Sequence, residues 1–244
     1  RKHISKYYDI SEVGDFPKRL PPKSFYTDIA SNEDTIEYKT IYEELMSLTM
    51  GVYAPTLYIQ PSKLSKYDKI YDINVEGKPT LKQFNREKAL QRLMTINMLK
   101  RLESCVDSFR ITIQNVKSAS VRTMSLIDEY EKNISGTSFQ ELDSIQVDDY
   151  DDEDFDMDES GTIGKVKIDF RDMDLRRYKA DLSHDIAVLE TLYDIMSYIT
   201  PDKDMKLQKL IEEVSKKIEN PINPGNKKVL IFSAFADTTN YLYK

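Results

Sequence analysis

The stretch between Thr80 and Asn133 constrains the fold most, because it contains no proline or glycine and keeps one apolar pattern throughout. Apolar residues recur there at spacings of mostly three and four, as on one face of an α-helix. This stripe consists of Leu81, Phe84, Leu90, Leu93, Leu99, Leu102, Val106, Phe109, Ile113 and Val116, with the polar Asn97 among them. A helix longer than ~25 residues needs partner helices to cover its stripe. The sequence therefore predicts a helical bundle or a long helical hairpin, with either one very long helix or two helices joined near Ser118–Ser120, where small polar residues interrupt the stripe.

Shorter helices are predicted on both sides of this stretch. Asn32 is a cap-forming residue followed by acidic residues, so a helix is expected to begin there and to end near Gly51. A short helix is expected to begin at Pro61, and two more follow from Leu175 and Asp202. These patterns together predict a mainly α fold.

The two ends of the chain have a different character. Residues 1–31 are basic and proline-rich, which predicts an extended segment with a short strand in "SFYTDIA". The run Val229–Phe232 is uninterrupted apolar sequence, typical of a strand in the middle of a parallel sheet, and a helical pattern follows it. Because such a strand needs a sheet and the chain does not begin with Met, we expect a piece of a longer protein. A processed or shortened chain is the alternative.

The charge of the chain is concentrated in one segment. The net charge is −7, but Asp148–Glu159 alone carries nine acidic residues, and without it 35 basic residues face 33 acidic ones (42 minus nine). The balance therefore does not argue against nucleic-acid binding. A calcium loop starting at Asp154 lacks the required glycine and final glutamate, since Glu159 and Lys165 stand there. We expect a solvated linker, with phosphate mimicry or a basic partner as the alternative.

The residues that usually carry chemistry are scarce. One cysteine, Cys105, and two well-separated histidines, His3 and His184, argue against a zinc site and against a Cys–His nucleophilic pair. His184 is expected to be a surface or packing residue. No phosphate-binding glycine loop is present. No apolar run approaches the ~20 residues that cross a bilayer. A single cysteine fits a reducing compartment, so a cytoplasmic location without membrane contact is expected.

A dense polar cluster lies on the long helical stretch. Lys100, Arg101 and Glu103 share one turn, and Glu103 is expected to pair with Lys100. The cluster is either a solvated helix face or a surface from which Lys100, Arg101 and Arg110 approach a phosphate backbone or a neighbouring domain.

The C-terminal segment resembles part of a known family. "KKVLIFSAFADTTNYLY" looks like the first strand and following helix of the second RecA-like lobe of superfamily-2 helicases, including helicase motif IV. It is especially similar to bacterial Swi/Snf-related and RapA-like ATPases. The matching residues are Lys228, Ile231, Phe232, Ser233, Phe235, Thr238, Thr239, Tyr241 and Leu242.

Three further segments resemble the same group. "DMKLQKLIEEV", from Asp204, is similar to the D-x-K-L-x-x-L helix that precedes this strand. Phe16, Pro17 and Arg19 resemble the F-P-x-R exit from the first lobe. The stretch from Met98 to Cys105 resembles the "LLKRLESS" feature of RapA-like helicases.

The resemblance implies a parent that is an ATP-dependent helicase, an ATP hydrolase acting on DNA or RNA. ATP and Mg²⁺ would bind between its lobes, outside this chain, so no cofactor is expected here. The implied fold is a helical insert between remnants of two RecA-like α/β lobes. Residues 1–31 would leave the first lobe, 32–136 form the insert, 137–164 an acidic disordered linker, 165–220 a second helical block, and 221–244 the first strand and helix of the second lobe.

The resemblance also implies where nucleic acid would be contacted. The motif IV turn of Ser233, Ala234 and Phe235 would touch the backbone, and Lys100 and Arg101 are secondary candidates. The chain itself would couple the two lobes without catalysing a reaction. The alternative is a helical protein–protein interaction module with no motor role. In either case the apolar run near the C-terminus predicts non-native association with another chain if it is left exposed.

Overall fold

The computed structural model describes residues 19–30, 37–72, 82–132, 141–143 and 167–244. This part of the chain is mainly α-helical, which confirms the predicted class. Its α-helices are α1 (Tyr38–Ser47), α2 (Leu64–Tyr71), α3 (Gln83–Ser104), α4 (Val106–Lys132), α5 (Leu175–Ser197), α6 (Met205–Glu219) and α7 (Ala236–Tyr243). The acidic run, Phe16 and Pro17 lie outside the described residues. None of these seven helices is long and apolar enough to span a membrane.

The long helical stretch is divided, but at a different place from the predicted one. Cys105 alone separates α3 from α4, and its φ of −161° and ψ of 158° are extended backbone values. The predicted joint at Ser118–Ser120 lies inside α4, where the Ser120 hydroxyl donates to the carbonyl of Val116 at 3.0 Å. A small residue whose hydroxyl is satisfied within the helix interrupts an apolar stripe without ending the helix.

The core lies between α3, α4 and α5. α4 packs most extensively against α5 and next against α3. The fully buried apolar side chains of these three helices include Met94, Met98, Phe109, Ile113, Ile127, Leu182, Leu189, Leu192 and Met196. Each such side chain contributes about 1.5–3 kcal/mol relative to an exposed position. Two members of the predicted stripe, Phe84 and Leu93, lie outside the core, at 38% and 40% exposure.

The connection from α1 to α2 runs across the core helices. It contains two short 3₁₀ turns, Gly51–Tyr53 and Pro55–Tyr58, both of which contact α3 and α5. α1 ends at Ser47, a few residues before the predicted end at Gly51. α2 was predicted to begin at Pro61 and begins at Leu64, after a turn at residues 61–63. Beyond α4, the strands β1 (Glu141–Asp143) and β2 (Lys167–Asp169) pair in antiparallel register.

The two strands predicted near the chain ends do not form ladders. Residues 19–30 are extended, and their described pairing is a single antiparallel bridge between Ala30 and Asp204. The run Val229–Phe232 has no ladder partner within the described residues, and Leu230 and Phe232 are 81% and 88% exposed. A strand requires a neighbour for its backbone hydrogen bonds, so an apolar run alone remains extended chain. The predicted helix after it is present as α7.

Candidate functional site

The break at Cys105 is built from backbone and side-chain hydrogen bonds. Its N–H donates to the carbonyl of Arg101 at 3.0 Å, which closes the last turn of α3. Its sulfur accepts from the N–H of Ser108 at 3.2 Å, in the first turn of α4. The thiol thus takes the place of an N-cap oxygen for α4. Burial raises the pKa of the Cys105 thiol, so the neutral form is favoured.

Helix α7 docks directly on this break. The hydroxyl of Thr238 lies 2.7 Å from the hydroxyl of Ser104 and 3.3 Å from the sulfur of Cys105. Thr238 is the buried residue of α7, and the other residues of this helix are half-buried or exposed. The polar side chains at the break therefore have a hydrogen-bond partner more than a hundred residues away in the chain.

Arg101 fixes the start of α7 through its charge. Its side chain is 6% exposed, and one guanidinium nitrogen lies 2.7 Å from a carboxylate oxygen of Asp237. The same nitrogen donates to the hydroxyl of Ser108 at 3.2 Å, and the guanidinium carbon lies 4.7 Å from the ring centre of Phe235. A buried cation requires such a partner, and Asp237 in the first turn of α7 also has the charge that a helix N-terminus favours.

Asp204 joins this cluster to the N-terminal segment. One of its carboxylate oxygens caps α6 by accepting from the N–H of Leu207 at 2.9 Å, and the other accepts from the hydroxyl of Tyr241 at 3.1 Å. Its backbone forms the bridge to Ala30. Burial, and then the negative charge of Asp204, raise the pKa of Tyr241.

We call this meeting point of α3, α4, α6 and α7 the junction. Its residues are Arg101, Ser104, Cys105, Asp204, Phe235, Asp237, Thr238 and Tyr241. Two cavities adjoin it, both lined by Cys105 and Asp204. One, of about 360 Å³, lies between α6 and residues 231–234, and the other, of about 610 Å³, lies between α6 and residues 25–29.

The structure brings some of the sequence-predicted site residues together. Arg101 and Phe235 are buried and in contact at the junction. Ser233 and Ala234 are exposed beside it, and the Ser233 hydroxyl accepts from the N–H of Phe235 at 3.1 Å. Lys100 is exposed on α3.

The polar cluster on α3 therefore has an exposed side, with Lys100 and Glu103, and a buried side, with Arg101. Among the described residues, the ion pairs do not include the expected one between Glu103 and Lys100. Arg110, the third cation named from the sequence, lies on α4 and pairs with Asp107 at 3.0 Å.

Sequence reasoning missed six of the eight junction residues as members of a site: Ser104, Cys105, Asp204, Asp237, Thr238 and Tyr241. Asp204 had a local signal, since an aspartate directly before an apolar-periodic segment is a helix N-cap. Thr238 and Tyr241 were named only through the sequence resemblance. Ser104, Cys105 and Asp237 had no signal as site residues, because their partners at the junction lie more than a hundred residues away in the chain.

A second polar cluster holds the connection between α1 and α2. Glu87 accepts from the N–H of Thr56 at 3.0 Å and from its hydroxyl at 2.5 Å. Asp185 accepts from the N–H groups of Thr49 and Gly51 at 2.7 and 3.0 Å. Burial outweighs these hydrogen bonds and raises the pKa of both carboxyl groups, that of Glu87 to about 7. The acceptors are fully used on backbone and neighbouring side chains, which indicates a structural role.

The histidine on α5 also has a local role. The imidazole Nε2 of His184 lies 3.0 Å from the carbonyl oxygen of Ser47, the last residue of α1, while remaining at the surface. This position agrees with the predicted surface or packing residue.

In the described ranges no group of three His, Cys, Asp or Glu side chains is placed to hold a metal ion. The sequence also lacks a phosphate-binding glycine loop. Neither family models, nor curated proteins, nor solved structures gave a match to this chain.

Proposed function

We propose that this chain is the helical coupling element of an ATP-dependent helicase or translocase, and that the junction transmits movement between the segments flanking its helical body. One observation carries the proposal. Asp204 contacts the N-terminal segment through Ala30 and the C-terminal helix through Tyr241, beside the break between α3 and α4. A displacement of either segment would act at the point where α3 and α4 can tilt relative to each other.

The proposal assigns different roles to the predicted nucleic-acid residues. Lys100, Ser233 and Ala234 are exposed and can meet a DNA or RNA backbone. Arg101 and Phe235 are buried, so we assign them to positioning the turn that presents Ser233 and Ala234. Remnants of two RecA-like lobes, at residues 1–31 and 221–244, remain part of the proposal because of the sequence resemblance.

The coupling role is tested in the full-length parent protein with Asp204→Asn, which keeps the size of the side chain. We expect ATP turnover to stay within about twofold while the distance translocated per ATP falls about tenfold, because only communication between the lobes is impaired. Equal losses of both quantities, or no change in either, would contradict a coupling role.

Lys100 is tested separately by the salt dependence of nucleic-acid binding. Replacing a residue that contacts a phosphate lowers the slope of log affinity against log salt by about one. We expect this for Lys100→Ala and no change for Lys39→Ala, an exposed lysine on α1. An unchanged slope for Lys100→Ala would remove this residue from the contact surface.

A helical interaction module is the second candidate, and α6 favours it. This helix has no buried residue, although its apolar Leu207, Leu210, Ile211, Val214 and Ile218 lie at helical spacing. Ile211 and Ile218 are exposed and the other three are half-buried. A partly exposed apolar face of this kind is typical of a surface that another domain or protein covers. The translocation experiment on Asp204→Asn distinguishes the two functions, since a module without a motor role predicts no translocation phenotype.

A further inference from the structure

The outward face of α3 is basic. Lys88, Arg92 and Lys100 lie in one row with Ile96, because residues four apart in a helix are neighbours on its surface. All four are exposed. Leu93, next to this row, is 40% exposed and Ile96 is 50% exposed, so apolar side chains are interspersed among the cations. We call Lys88, Arg92, Leu93, Ile96 and Lys100 the α3 face.

Some cations elsewhere in the described chain are paired with carboxylates and some, such as Lys69 and Arg176, have no ion pair among the described residues. Each of the helices α1, α2, α4, α5 and α6 has at least one lysine or arginine in an ion pair. The pairs are Lys39–Glu43, Lys66–Asp172, Arg110–Asp107, Lys117–Glu190, Lys179–Asp128, Lys209–Glu212 and Lys216–Glu213. Within the described residues, no carboxylate forms an ion pair with Lys88, Arg92 or Lys100. Their positive charge is therefore available to an anionic partner.

The two acidic residues of α3 do not neutralise this face. Glu87 is 2% exposed and turned inward, where it accepts hydrogen bonds from Thr56. Glu103 is exposed, but it lies on the last turn of the helix, beyond Lys100. The surface from Lys88 to Lys100 thus carries one sign of charge.

The geometry of the face defines the chemistry of its partner. Lys88 and Lys100 are twelve residues apart in one helix, or about 18 Å at 1.5 Å per residue. A single small anion cannot meet both ends of such a row. An extended partner with several negative charges and some apolar side chains matches both the cations and the exposed Leu93 and Ile96.

The chain itself contains a segment of this composition. Asp148–Glu159 has nine acidic residues interspersed with Tyr150, Phe155 and Met157, and no basic residue. This segment lies outside the described residues. Both its charge and its apolar content are complementary to the α3 face.

The attachment points of this segment lie near the start of α3. Residues 144–166 connect β1 to β2, which are paired with each other. Lys167, in β2, exchanges two hydrogen bonds with the Tyr71 hydroxyl, at 2.8 and 3.0 Å. The Tyr71 carbonyl in turn accepts from the guanidinium of Arg86 at 2.7 Å.

The length of the connection is sufficient. Half of the 144–166 segment reaches roughly 35 Å when extended, at about 3.3 Å per residue. The helix from Arg86 to Lys100 is about 21 Å long. The acidic run can therefore lie along the α3 face without any change in the described part of the chain.

We propose that residues 148–159 bind the α3 face of the same chain, with carboxylates on Lys88, Arg92 and Lys100 and apolar side chains on Leu93 and Ile96. The bound segment competes with any other polyanion for these three cations. This inference does not depend on the proposed motor function, because it rests on α3 and on the composition of the acidic run.

The test uses a neutralised chain in which all nine acidic residues of 148–159 are replaced by their amides. A fluorescent peptide with the native sequence of residues 146–161 is titrated into this chain and into the native one. We expect saturable binding to the neutralised chain that weakens with salt. Binding to the native chain is expected to be at least about tenfold weaker, because the tethered segment has a high effective concentration.

The binding surface is located by charge reversal in the neutralised chain. Lys88→Glu, Arg92→Glu and Lys100→Glu are combined in one variant, which is expected to lose at least about tenfold in peptide affinity. The matched control combines Lys69→Glu, Lys132→Glu and Arg176→Glu, which changes the net charge equally at exposed positions of α2, α4 and α5 that have no ion pair among the described residues. Circular dichroism verifies that both variants remain folded; if the triple variant does not, the corresponding alanine variants replace it.

Three outcomes would overturn the proposal. The peptide binds the native and neutralised chains equally, or it does not bind at all. The α3 variant loses no more affinity than the control. A mixed-sequence single-stranded oligonucleotide binds through the α3 face with the same affinity in the native and neutralised chains, which would mean that the face is open and serves nucleic acid.

Discussion

The ion pair between Arg101 and Asp237 is the most buried charged contact of the junction. Arg101 is 6% exposed and Asp237 30% in their side chains. Removing the carboxylate leaves a buried guanidinium with less compensation, and such single losses cost about 3–5 kcal/mol for fully buried pairs. Because Asp237 is partly solvated, we expect Asp237→Asn to lower the free energy of unfolding by about 1–2 kcal/mol. Urea denaturation measures this change.

A double-mutant cycle isolates the interaction itself. Arg101→Met and Asp237→Asn, singly and combined, should give a coupling energy of about 1–2 kcal/mol. The matched control is the exposed pair Lys216 and Glu213, for which Lys216→Met and Glu213→Gln should couple by less than ~0.5 kcal/mol. Similar coupling energies in the two cycles would show that Arg101 does not anchor α7 through its charge.

Glu87 makes the stability of the fold depend on pH. Its pKa rises from 4.5 to about 7 on folding, mainly because the carboxyl group is buried. The folded state therefore binds the proton more tightly, and the stabilisation is fully present below pH ~4.5 and lost as the pH rises through ~7. The shift corresponds to a loss on the order of 3 kcal/mol across that interval. Glu87→Gln should remove this dependence, as measured by urea denaturation from pH 5 to 8, and an unchanged pH slope in the variant would contradict the assignment.

The break between α3 and α4 depends on Cys105 as a cap. Cys105→Val keeps an apolar side chain but removes the acceptor for the N–H of Ser108 and the contact with Thr238. We expect a loss of about 1–2 kcal/mol in the free energy of unfolding, typical of a lost N-cap. Cys105→Ser keeps an acceptor and should cost less than the valine variant. The reverse order, measured by thermal or urea unfolding, would show that packing and not capping holds the break.

Local sequence patterns predicted most of the helices but not the way in which they are joined. Helical spacing continues without interruption through Leu102, Val106 and Phe109, so nothing in the stripe marks the break. The break is stabilised by Thr238, whose position relative to Cys105 is set by tertiary structure. The strand prediction at Val229–Phe232 also lacked tertiary information. An apolar run indicates that a segment can form a strand, but it does not show whether a partner strand is present.

The candidate site was also predictable only in part, because local patterns indicate single residues but not their tertiary contacts. The resemblance indicated the turn at Ser233–Phe235, and helical spacing indicated Arg101 on α3. That Arg101 is buried under Phe235 and paired with Asp237 follows only from the docking of α7. Charge type alone could not separate exposed Lys100 from buried Arg101, which differ by one position on the helix and therefore by about 100° around its axis.

The docking of α7 on the junction can be followed through the single cysteine of the chain. Cys105 is 6% exposed and lies beneath Thr238, so its reaction with an aromatic disulfide reagent should be slow in the intact chain. Removing residues 227–244 takes α7 away and gives the reagent access to the thiol. Because burial raises the thiol pKa, the truncation should also increase the fraction of thiolate. We therefore expect the labelling rate to rise at least about tenfold. Tyr243→Ala, at a position that is 94% exposed, serves as the control and should leave the rate unchanged. Equal rates in the intact and truncated chains would mean that α7 does not cover the junction in solution, and a coupling role for Asp204 and Tyr241 would lose its structural basis.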